Sequence, residues 1–403
     1  MSETNIDNKA ASNQAAQRRL TAAEILPTDW QRAQLAGRVW RNDVNGPVPV
    51  LVLGGVVYDA SAVEWTLSAL LEREDLLAIC ASRANLQDIG SVDDYLSGAK
   101  GRLLAPADLQ SIKAAGVTFA DSMLERVIEE QAKGDPQRAQ AIRERLAPVL
   151  GDSLRGVEAG SEKAAEVKRL LQDMGLWSQY LEVGIGPDAE IFTKSQPMSA
   201  VGCGEQIGIH PNSQWNNPEP EVVLAVNSRG RIIGMTLGND VNLRDIEGRS
   251  ALLLGKAKDN NASCAIGPFI RLLDGHFGLE QVASLEVSLL VEGTDGFEMQ
   301  GVSPMAAISR SPENLVGQLL NRNHQYPDGV LFFLGTMFAP VKDRHGPGLG
   351  FTHAIDDRVV IATPTVGALV NWVARTDVCP PWEYGLGDLF AHLLQRAKTA
   401  QAA

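Results

Sequence analysis

Residues 217–245 read NPEPEVVLAVNSRGRIIGMTLGNDVNLRD, a stretch that predicts a β-hairpin carrying three carboxylates. Two runs rich in Val, Ile and Leu flank a turn signal at residues 227–230. On a strand, side chains two positions apart share a face, so Glu219 and Glu221 point the same way. If the strands pair, Asp240 returns near the level of Glu221. The sequence therefore predicts that three acidic side chains converge.

Three like charges on one face repel one another unless a cation or a proton neutralises them. A hard divalent ion would meet this need, and oxygen donors without a paired His or Cys favour Mg²⁺, with Mn²⁺ as the alternative. The competing interpretation is an exposed strand face and a turn aspartate, because exposed acids are common. The residues of this stretch alone leave both interpretations open.

The amino-acid composition limits the classes of protein to which this chain can belong. The chain has 403 residues, 44% of them hydrophobic, and a formal net charge of -13, which argues against a nucleic-acid-binding surface. Four scattered cysteines without a C-x-x-C pair favour a reducing compartment, so we expect a cytoplasmic protein. No apolar run approaches the roughly 20 residues of a membrane helix. The polar residues 1–19 are predicted to form a disordered tail.

Strand and helix patterns divide the rest of the chain and predict an α+β fold. Short alternating strands appear from about residue 35 to 59, and amphipathic helices fill residues 121–175, with breaks at 134–136 and near Gly151. These helices are expected to form a solvated cover on a β core. The predicted units are a small, mainly β N-terminal domain (20–105), a helical connection carrying part of the active site (106–177) and a β-rich catalytic domain (178–403) with one helix at 311–323.

Several motifs follow the hairpin in a fixed order. They are GNDVNLRD (238–245), LLLGKAKDNNASCAIGPF (252–269), LFFLGTMFAP (331–340) and VGALVNWV (366–373), and the segment Phe192-Thr193-Lys194 precedes them. Over roughly residues 178–375 this set resembles the fumarylacetoacetate hydrolase family. The resemblance implies that family's catalytic fold with helical cover, and a Mg²⁺ held by Glu219, Glu221 and Asp240.

Hydrolytic members of that family carry a G-x-N-Y-x-x-H-x-x-E run, whose His and Glu activate water. Residues 116–125 keep Glu125 but have Ser122 at the histidine position. Its 2-keto-3-deoxy-pentonate dehydratases share this departure, together with N-D-V-x-x-R-D-x-E (239–247) and K-x-x-x-x-x-C-A-x-G-P (258–268). The chain departs from them at SALLLGKA (250–257), where they have an aromatic-rich link. The resemblance implies a lyase of oxidative sugar catabolism, which dehydrates 2-keto-3-deoxy-D-pentonate, derived from D-xylonate or D-arabinonate, to 2,5-dioxopentanoate.

The same resemblance implies two catalytic residues. Lys258, with a depressed pKa, is expected to take the C3 proton, while Glu125 acts as the acid that helps the C4 hydroxyl leave; the exchanged roles are equally open. Arg244 is expected either to anchor substrate or to brace the metal loop. The residues expected to contact substrate are Thr118, Ser122, Lys194, Arg244 and Thr336.

Two other functions stay open. A metal-dependent hydrolase of 2,4-diketo acids or acylpyruvates, cleaving a carbon-carbon bond, would need another base, such as a different histidine beside the metal. A non-catalytic protein that binds small acids would keep the fold and fail to bind Mg²⁺. The expected partners are a small 2-keto acid and further copies of the chain, as a homodimer or dimer of dimers, without nucleic acid or membrane.

Overall fold

A computed structural model describes residues 19–154, 156–338 and 340–402. The predicted disordered tail, residues 1–19, lies outside these ranges apart from its last residue. The strands are β1 (Gln34–Arg41), β2 (Gly46–Leu53), β3 (Val56–Asp59), β4 (Gln87–Ser91), β5 (Gly101–Leu104), β6 (Ser111–Ala115), β7 (Ile191–Ser195), β8 (Gln206–Ile209), β9 (Asn216–Asn217), β10 (Pro220–Val226), β11 (Ile232–Asp240), β12 (Asn242–Leu243), β13 (Cys264–Leu272), β14 (Glu286–Glu292), β15 (Glu298–Pro304), β16 (Val330–Phe333), β17 (Arg358–Thr363) and β18 (Gly367–Arg375).

The helices confirm the predicted mixture of α and β structure. They are α1 (Ala22–Ile25), α2 (Leu67–Glu72), α3 (Leu76–Ser82), α4 (Val92–Leu96), α5 (Ala120–Ala132), α6 (Pro136–Leu154), α7 (Glu162–Asp173), α8 (Gln179–Ile185), α9 (Arg244–Glu247), α10 (Leu254–Lys258), α11 (Leu279–Ala283), α12 (Pro312–Leu319) and α13 (Leu386–Ala402), with 3-10 turns at Ala251–Leu253 and Met305–Ala307. The α+β fold class is confirmed.

One large sheet contains strands from both the N-terminal part and the catalytic part of the chain. Its eleven strands run β4-β3-β2-β1-β13-β11-β10-β16-β6-β7, with β5 beside β1. Strand β1 of the N-terminal part pairs antiparallel with β13, Leu35 opposite Arg271, and β6 pairs parallel with β16. The predicted domain boundary at residues 105–106 thus lies between strands of one continuous sheet. A second sheet of five strands runs β15-β14-β17-β18-β8.

The core lies on both faces of the large sheet, because alternate side chains of each strand point to opposite sides. On β10, Val222 and Leu224 pack in one apolar cluster, while Val223 and Ala225 pack in another with Ala36 of β1. All four cysteines are buried and free. Within the part of the chain that the structure describes, every helix is too short or too polar to cross a lipid bilayer.

The helical connection differs from the prediction in two respects. Helix α6 continues through Gly151 to Leu154, since one glycine inside a helix costs only about 1 kcal/mol relative to alanine. Helix α5 is not a solvated cover, because the charged residues Glu125, Arg126 and Glu129 on it are all buried. This helix therefore brings charges into the interior, where they reach the carboxylate site.

Candidate metal centre

The predicted hairpin forms and carries the three acids at its open end. Strands β10 and β11 pair with Glu221 opposite Gly238, and the Asp240 amide donates to the Glu219 carbonyl at 3.0 Å. Asp240 is therefore level with Glu219 rather than with Glu221 as predicted. The pairing shifts register by one residue between Ala225 and Val226. Without this shift Asp240 would lie opposite Pro218, so the shift moves Asp240 toward Glu221, and the difference from the prediction comes from the pairing of Val226 with Ile232 across the turn.

The carboxylates of Glu219, Glu221 and Asp240 converge in a buried cluster. Each offers an oxygen within 4.8 Å of the others, and each residue is at most 1% exposed. Burial raises the pKa of Glu221 well above its usual range, and the neighbouring charges of Asp240 and Glu219 add to the effect. Burial also opposes the ionisation of Glu219, but Arg126 and Lys258 more than offset it and lower its pKa to about 2. This oxygen-only donor set fits a hard divalent ion.

Two buried lysines contact the cluster. Lys258 donates from Nζ to Glu219 Oε2 and, at 3.0 Å, to Asp240 Oδ2. Lys194 Nζ lies 2.9 Å from Asp240 Oδ1 and donates to the Lys258 carbonyl. The depressed pKa of Lys258 was expected beside a bound cation, whereas these contacts are those of the metal-free protein. In that state burial lowers the pKa of Lys258, but the carboxylates of Asp240, Glu219 and Glu247 outweigh burial and raise it.

The loop after β16 supplies hydrogen bonds to two of the acids. The Gly335 amide donates to Glu221 Oε2 at 2.8 Å, and Thr336 Oγ1 donates to Glu219 Oε2 at the same distance. Gly335 has φ +99°, and a Cβ there would lie 2.3 Å from Thr118 Oγ1, so the position requires glycine. The structure thus places Thr336 directly against the predicted ligands. Thr118 lies beneath this loop and donates to the Leu334 carbonyl at 2.6 Å.

A network of buried arginines and glutamates surrounds the cluster. Arg126 on α5 donates hydrogen bonds to Glu219 and, at 2.6 Å, to Glu129. Its guanidinium also lies 3.0 Å from the Glu247 carboxylate. Arg244 donates to Glu129 and lies over the Trp215 ring, 4.5 Å from its centroid. These contacts favour the bracing role over the substrate-anchoring role for Arg244.

Glu125, the predicted acid, belongs to this network. Arg143 donates to both of its carboxylate oxygens, at 2.8 and 2.7 Å, and Arg244 donates to Oε2 at 2.9 Å. Burial opposes ionisation of Glu125, but the two arginines more than compensate and lower its pKa. A carboxylate held in this way is poorly suited to donate a proton. The neighbouring Ser122 is buried and donates to the Phe119 carbonyl at 2.9 Å.

A small cavity opens onto the cluster and contains two further acids. Its volume is about 10 Å³, roughly the space of one water molecule. Burial raises the pKa of Glu190, with Arg126 and Lys258 opposing, so this carboxyl holds a proton more readily than an exposed glutamate. The lining residues are Ala115, Gly116, Val117, Arg126, Tyr180, Glu190, Phe192, Glu219, Asp240, Glu247, Leu254, Lys258 and Thr336.

Arg126, Glu129 and Glu190 were not among the residues predicted from the sequence. Arg126 and Glu129 stand three positions apart on a helix, a spacing equally typical of an exposed ion pair, so their burial left no signal. Glu190 stands two positions before Phe192, at the start of the segment already singled out. Its proximity to that segment was the available clue.

Glu247 provides a pH-dependent prediction. Burial raises its pKa to about 7, with Arg126 and Lys258 opposing and Glu219 and Glu129 adding to the shift. From its ordinary pKa of 4.5 up to about 7, the folded state binds more protons than the unfolded state, so this group lowers stability as pH rises. We expect the free energy of unfolding of Glu247→Gln, relative to the parent protein, to increase by on the order of 2 kcal/mol between about pH 5 and 8.

Urea unfolding in the presence of EDTA at both pH values measures this difference. Glu166→Gln, an exposed glutamate of α7, is the matched control and should show no such change. A difference between Glu247→Gln and the parent protein that stays constant with pH would contradict the assignment.

Comparison with known proteins gives two sequence relatives. The chain is 32% identical over 186 residues to a 2-dehydro-3-deoxy-D-arabinonate dehydratase of Saccharolobus solfataricus, an alignment that covers 46% of this chain and 59% of that protein. It is 28% identical over 302 residues to a probable 2-keto-3-deoxyxylonate dehydratase of Haloferax volcanii, covering 74% of this chain and 97% of that protein. No protein-family model matches the chain.

Solved structures share the fold. One is a 2-keto-3-deoxy-D-arabinonate dehydratase complexed with magnesium and 2,5-dioxopentanoate, with a TM-score of 0.56 and 22% identity, covering 85% of this chain and 99% of that one. Another is a fumarylacetoacetate hydrolase from Exiguobacterium antarcticum, with a TM-score of 0.53, 16% identity and coverage of 85% and 100%. The two sequence relatives confirm the resemblance to 2-keto-3-deoxy-pentonate dehydratases, and the solved structures show the fumarylacetoacetate hydrolase type of fold.

Proposed function

We propose that this chain is a Mg²⁺-dependent lyase that dehydrates a 2-keto-3-deoxy-D-pentonate to 2,5-dioxopentanoate. The observation that carries the proposal is the buried cluster of Glu219, Glu221 and Asp240 with the Lys258 ammonium against it. The two dehydratase relatives support the reaction class. The product held with magnesium in a protein of the same fold supports the substrate.

Glu219, Glu221 and Asp240 would hold the ion. When bound, Mg²⁺ supplies a Lewis acid for the substrate's keto oxygen and a positive charge beside Lys258. Lys258 as the free amine takes a proton from C3, which is acidic because it adjoins the keto group. The C4 hydroxyl leaves as water after accepting a proton, and tautomerisation of the unsaturated product gives 2,5-dioxopentanoate.

Glu190 is a better candidate than Glu125 for the acid that protonates the leaving hydroxyl. Glu190 lines the cavity and its pKa is raised, whereas Glu125 is held by Arg143 and Arg244 and its pKa is lowered. An acid must carry its proton at the working pH to donate it. We therefore assign the acid to Glu190 and a bracing role to Glu125.

The hydrolase alternative lacks the base that it needs. Among the described residues that line the cavity, no histidine occurs. The buried His353 contacts Asp357 at 3.3 Å, in a separate polar group with Arg344. This arrangement supports elimination over water attack on a carbon-carbon bond.

Turnover of 2-keto-3-deoxy-D-pentonate with and without Mg²⁺ tests the proposal, with both 2,5-dioxopentanoate and pyruvate measured. Metal-dependent 2,5-dioxopentanoate without pyruvate is the expected result. Pyruvate released from a 2,4-diketo acid, without dehydration of the pentonate, would show a hydrolase. Binding of Mg²⁺ distinguishes the lyase and the hydrolase from a non-catalytic protein.

Light scattering would test the predicted homodimer or dimer of dimers.

Glu190→Gln is expected to lose catalytic activity, whereas Glu125→Gln is expected to lose stability. Glu190→Gln should lower kcat by roughly 10²-fold or more, because the proton donor is lost, while Mg²⁺ affinity stays near normal. Glu125→Gln should mainly lower stability, by about 1 to 3 kcal/mol, because the buried Arg244 and the half-buried Arg143 lose their carboxylate partner. Steady-state kinetics, Mg²⁺ titration and urea unfolding separate the two. A larger loss of kcat in a stable Glu125→Gln protein would restore Glu125 as the acid.

A further inference from the structure

A sizeable cavity lies away from the metal centre. It encloses about 500 Å³ where the N-terminal strands, two loops of the catalytic part and the segment before α13 meet. That volume is within the usual range for small-molecule sites. Ser199 and Asn261 on its floor belong to the loops that follow Lys194 and Lys258. A molecule bound here would contact the loops that position both lysines.

Arg38 brings a poorly compensated positive charge to this cavity. Its side chain is 6% exposed, and the nearest acid oxygen among the described residues is on Asp108, 3.8 Å from Nε. Asp108 already accepts from the amides of Leu67, Ser68 and Leu109.

Only one of the two terminal nitrogens of Arg38 has strong hydrogen-bond acceptors. Nη1 donates to the carbonyls of Ala107 and, at 3.5 Å, Ala105, whereas Nη2 has the Met198 sulfur at 3.6 Å, a weak acceptor. Burial lowers the pKa of Arg38. A buried cation is costly unless its charge and its donors are both satisfied, and Asp108 contacts only the Nε side, so the cavity favours an anion beside Nη2.

Aromatic side chains form the other walls. The rings of Trp40 and Tyr384 meet edge to face with centroids 5.3 Å apart, and Trp382 donates to the Tyr384 carbonyl at 3.0 Å. Trp382 is 47% exposed, so part of its ring is free to cover a ligand. Flat apolar groups pack well against such walls.

The other charged side chains that line the cavity do not neutralise Arg38. Arg102 is paired with Glu205 at 2.9 Å, and Glu383 is exposed to solvent. The positive charge of Arg38 therefore favours a negatively charged ligand.

We propose that this cavity is a second binding site, which takes a small organic carboxylate carrying a flat apolar ring. The carboxylate accepts from Arg38 Nη2 and the ring lies between Trp40, Trp382 and Tyr384. The site is independent of the metal centre and of the reaction proposed there.

Calorimetric titration of the full chain with 2-naphthoate, in buffer containing EDTA, tests the site. We expect 2-naphthoate to bind, 2-naphthamide to bind at least roughly tenfold more weakly because it lacks the charge, and acetate to give no heat because it lacks the ring. Arg38→Met and Trp382→Ala should each weaken 2-naphthoate binding by roughly tenfold or more. Arg138→Met, the same change at an exposed arginine of α6, should leave affinity unchanged.

Three results would overturn the proposal. They are absence of 2-naphthoate binding at millimolar concentration, equal affinity for the amide, and unchanged affinity in Trp382→Ala, a half-exposed position whose replacement leaves the core intact. Lys258→Met locates the bound molecule. Retained affinity in this variant supports the second site. Loss of affinity in a Lys258→Met protein that circular dichroism shows to be folded would place 2-naphthoate at the carboxylate cluster and refute the proposal.

Discussion

Replacing Glu221 with glutamine is expected to abolish metal-dependent turnover without weakening the metal-free fold. Burial and the neighbouring charges of Asp240 and Glu219 raise the pKa of Glu221 well above its usual range, so the metal-free protein favours the protonated form of this carboxyl. Glutamine has the same shape as the protonated acid and can still accept from the Gly335 amide. We expect the melting temperature in EDTA to change by less than about 2 °C.

Unlike the metal-free fold, metal binding and catalysis should be strongly impaired by Glu221→Gln. An amide oxygen is a weaker ligand for Mg²⁺ than a carboxylate, so the rise in melting temperature on adding Mg²⁺ should disappear. Turnover should fall by roughly 10³-fold, because a bound metal contributes several kcal/mol of transition-state stabilisation. Thermal melts with and without Mg²⁺, together with kcat, measure both effects.

The control for this variant is Glu286→Gln, at an exposed position of strand β14. It should change neither the Mg²⁺ response nor kcat. Turnover within tenfold of normal in Glu221→Gln would remove this residue from the ligand set.

Replacing Lys258 with methionine is expected to damage both catalysis and the metal-free fold. Its ammonium contacts Glu219 and Asp240 in the interior, where removing one partner of a buried ion pair costs about 3 to 5 kcal/mol. Turnover should fall by about 10²- to 10⁴-fold through loss of the base. The free energy of unfolding in EDTA and kcat with Mg²⁺ measure the two losses separately.

Added Mg²⁺ should stabilise Lys258→Met more than it stabilises the parent protein, because the ion replaces the missing positive charge. The matched control is Lys256→Met, two residues earlier, whose exposed ammonium lies 3.5 Å from His210. Turnover that remains near normal in a folded Lys258→Met protein would show that another group removes the C3 proton.

The metal cluster could be predicted from the sequence because its geometry is local. Glu219, Glu221 and Asp240 lie on two strands joined by a short turn, so the period of two and the turn signal determined which side chains meet. The irregularity between Ala225 and Val226, which changed the level of Asp240, has no strong local signal.

The acids and cations around the cluster could not be predicted in this way. Arg126 reaches Glu219 across 93 positions of sequence, and only packing brings α5 there. Glu125 matched a catalytic position of related enzymes, but the motif contains no information about Arg143 on the next helix. The raised pKa of Lys258 in the metal-free protein could not be predicted for the same reason, since it depends on how closely the carboxylates approach the ammonium.

The domain organisation was predicted from local patterns of apolar and polar residues. Such patterns do not indicate which distant strands pair with each other. Strands β1 to β5 showed a mainly β N-terminal unit, but not that β1 would pair with β13 and extend the catalytic sheet. Alternating apolar residues specify a strand and its two faces, whereas its neighbours depend on the whole topology.

That shared sheet has a consequence for synthesis of the protein. Strand β1 ends at Arg41 and its partner β13 begins at Cys264, so more than two hundred residues separate them. At a synthesis rate of about 5 to 20 residues per second, the early strands wait roughly 10 to 45 s before that partner is made. Throughout this interval the apolar side chains that later pack under Ile266 and Ile270, such as Ala36 and Leu51, lack these partners. The nascent chain is therefore most vulnerable to aggregation before residue 272 has been made, and protection by chaperones at that stage would determine how much of it folds.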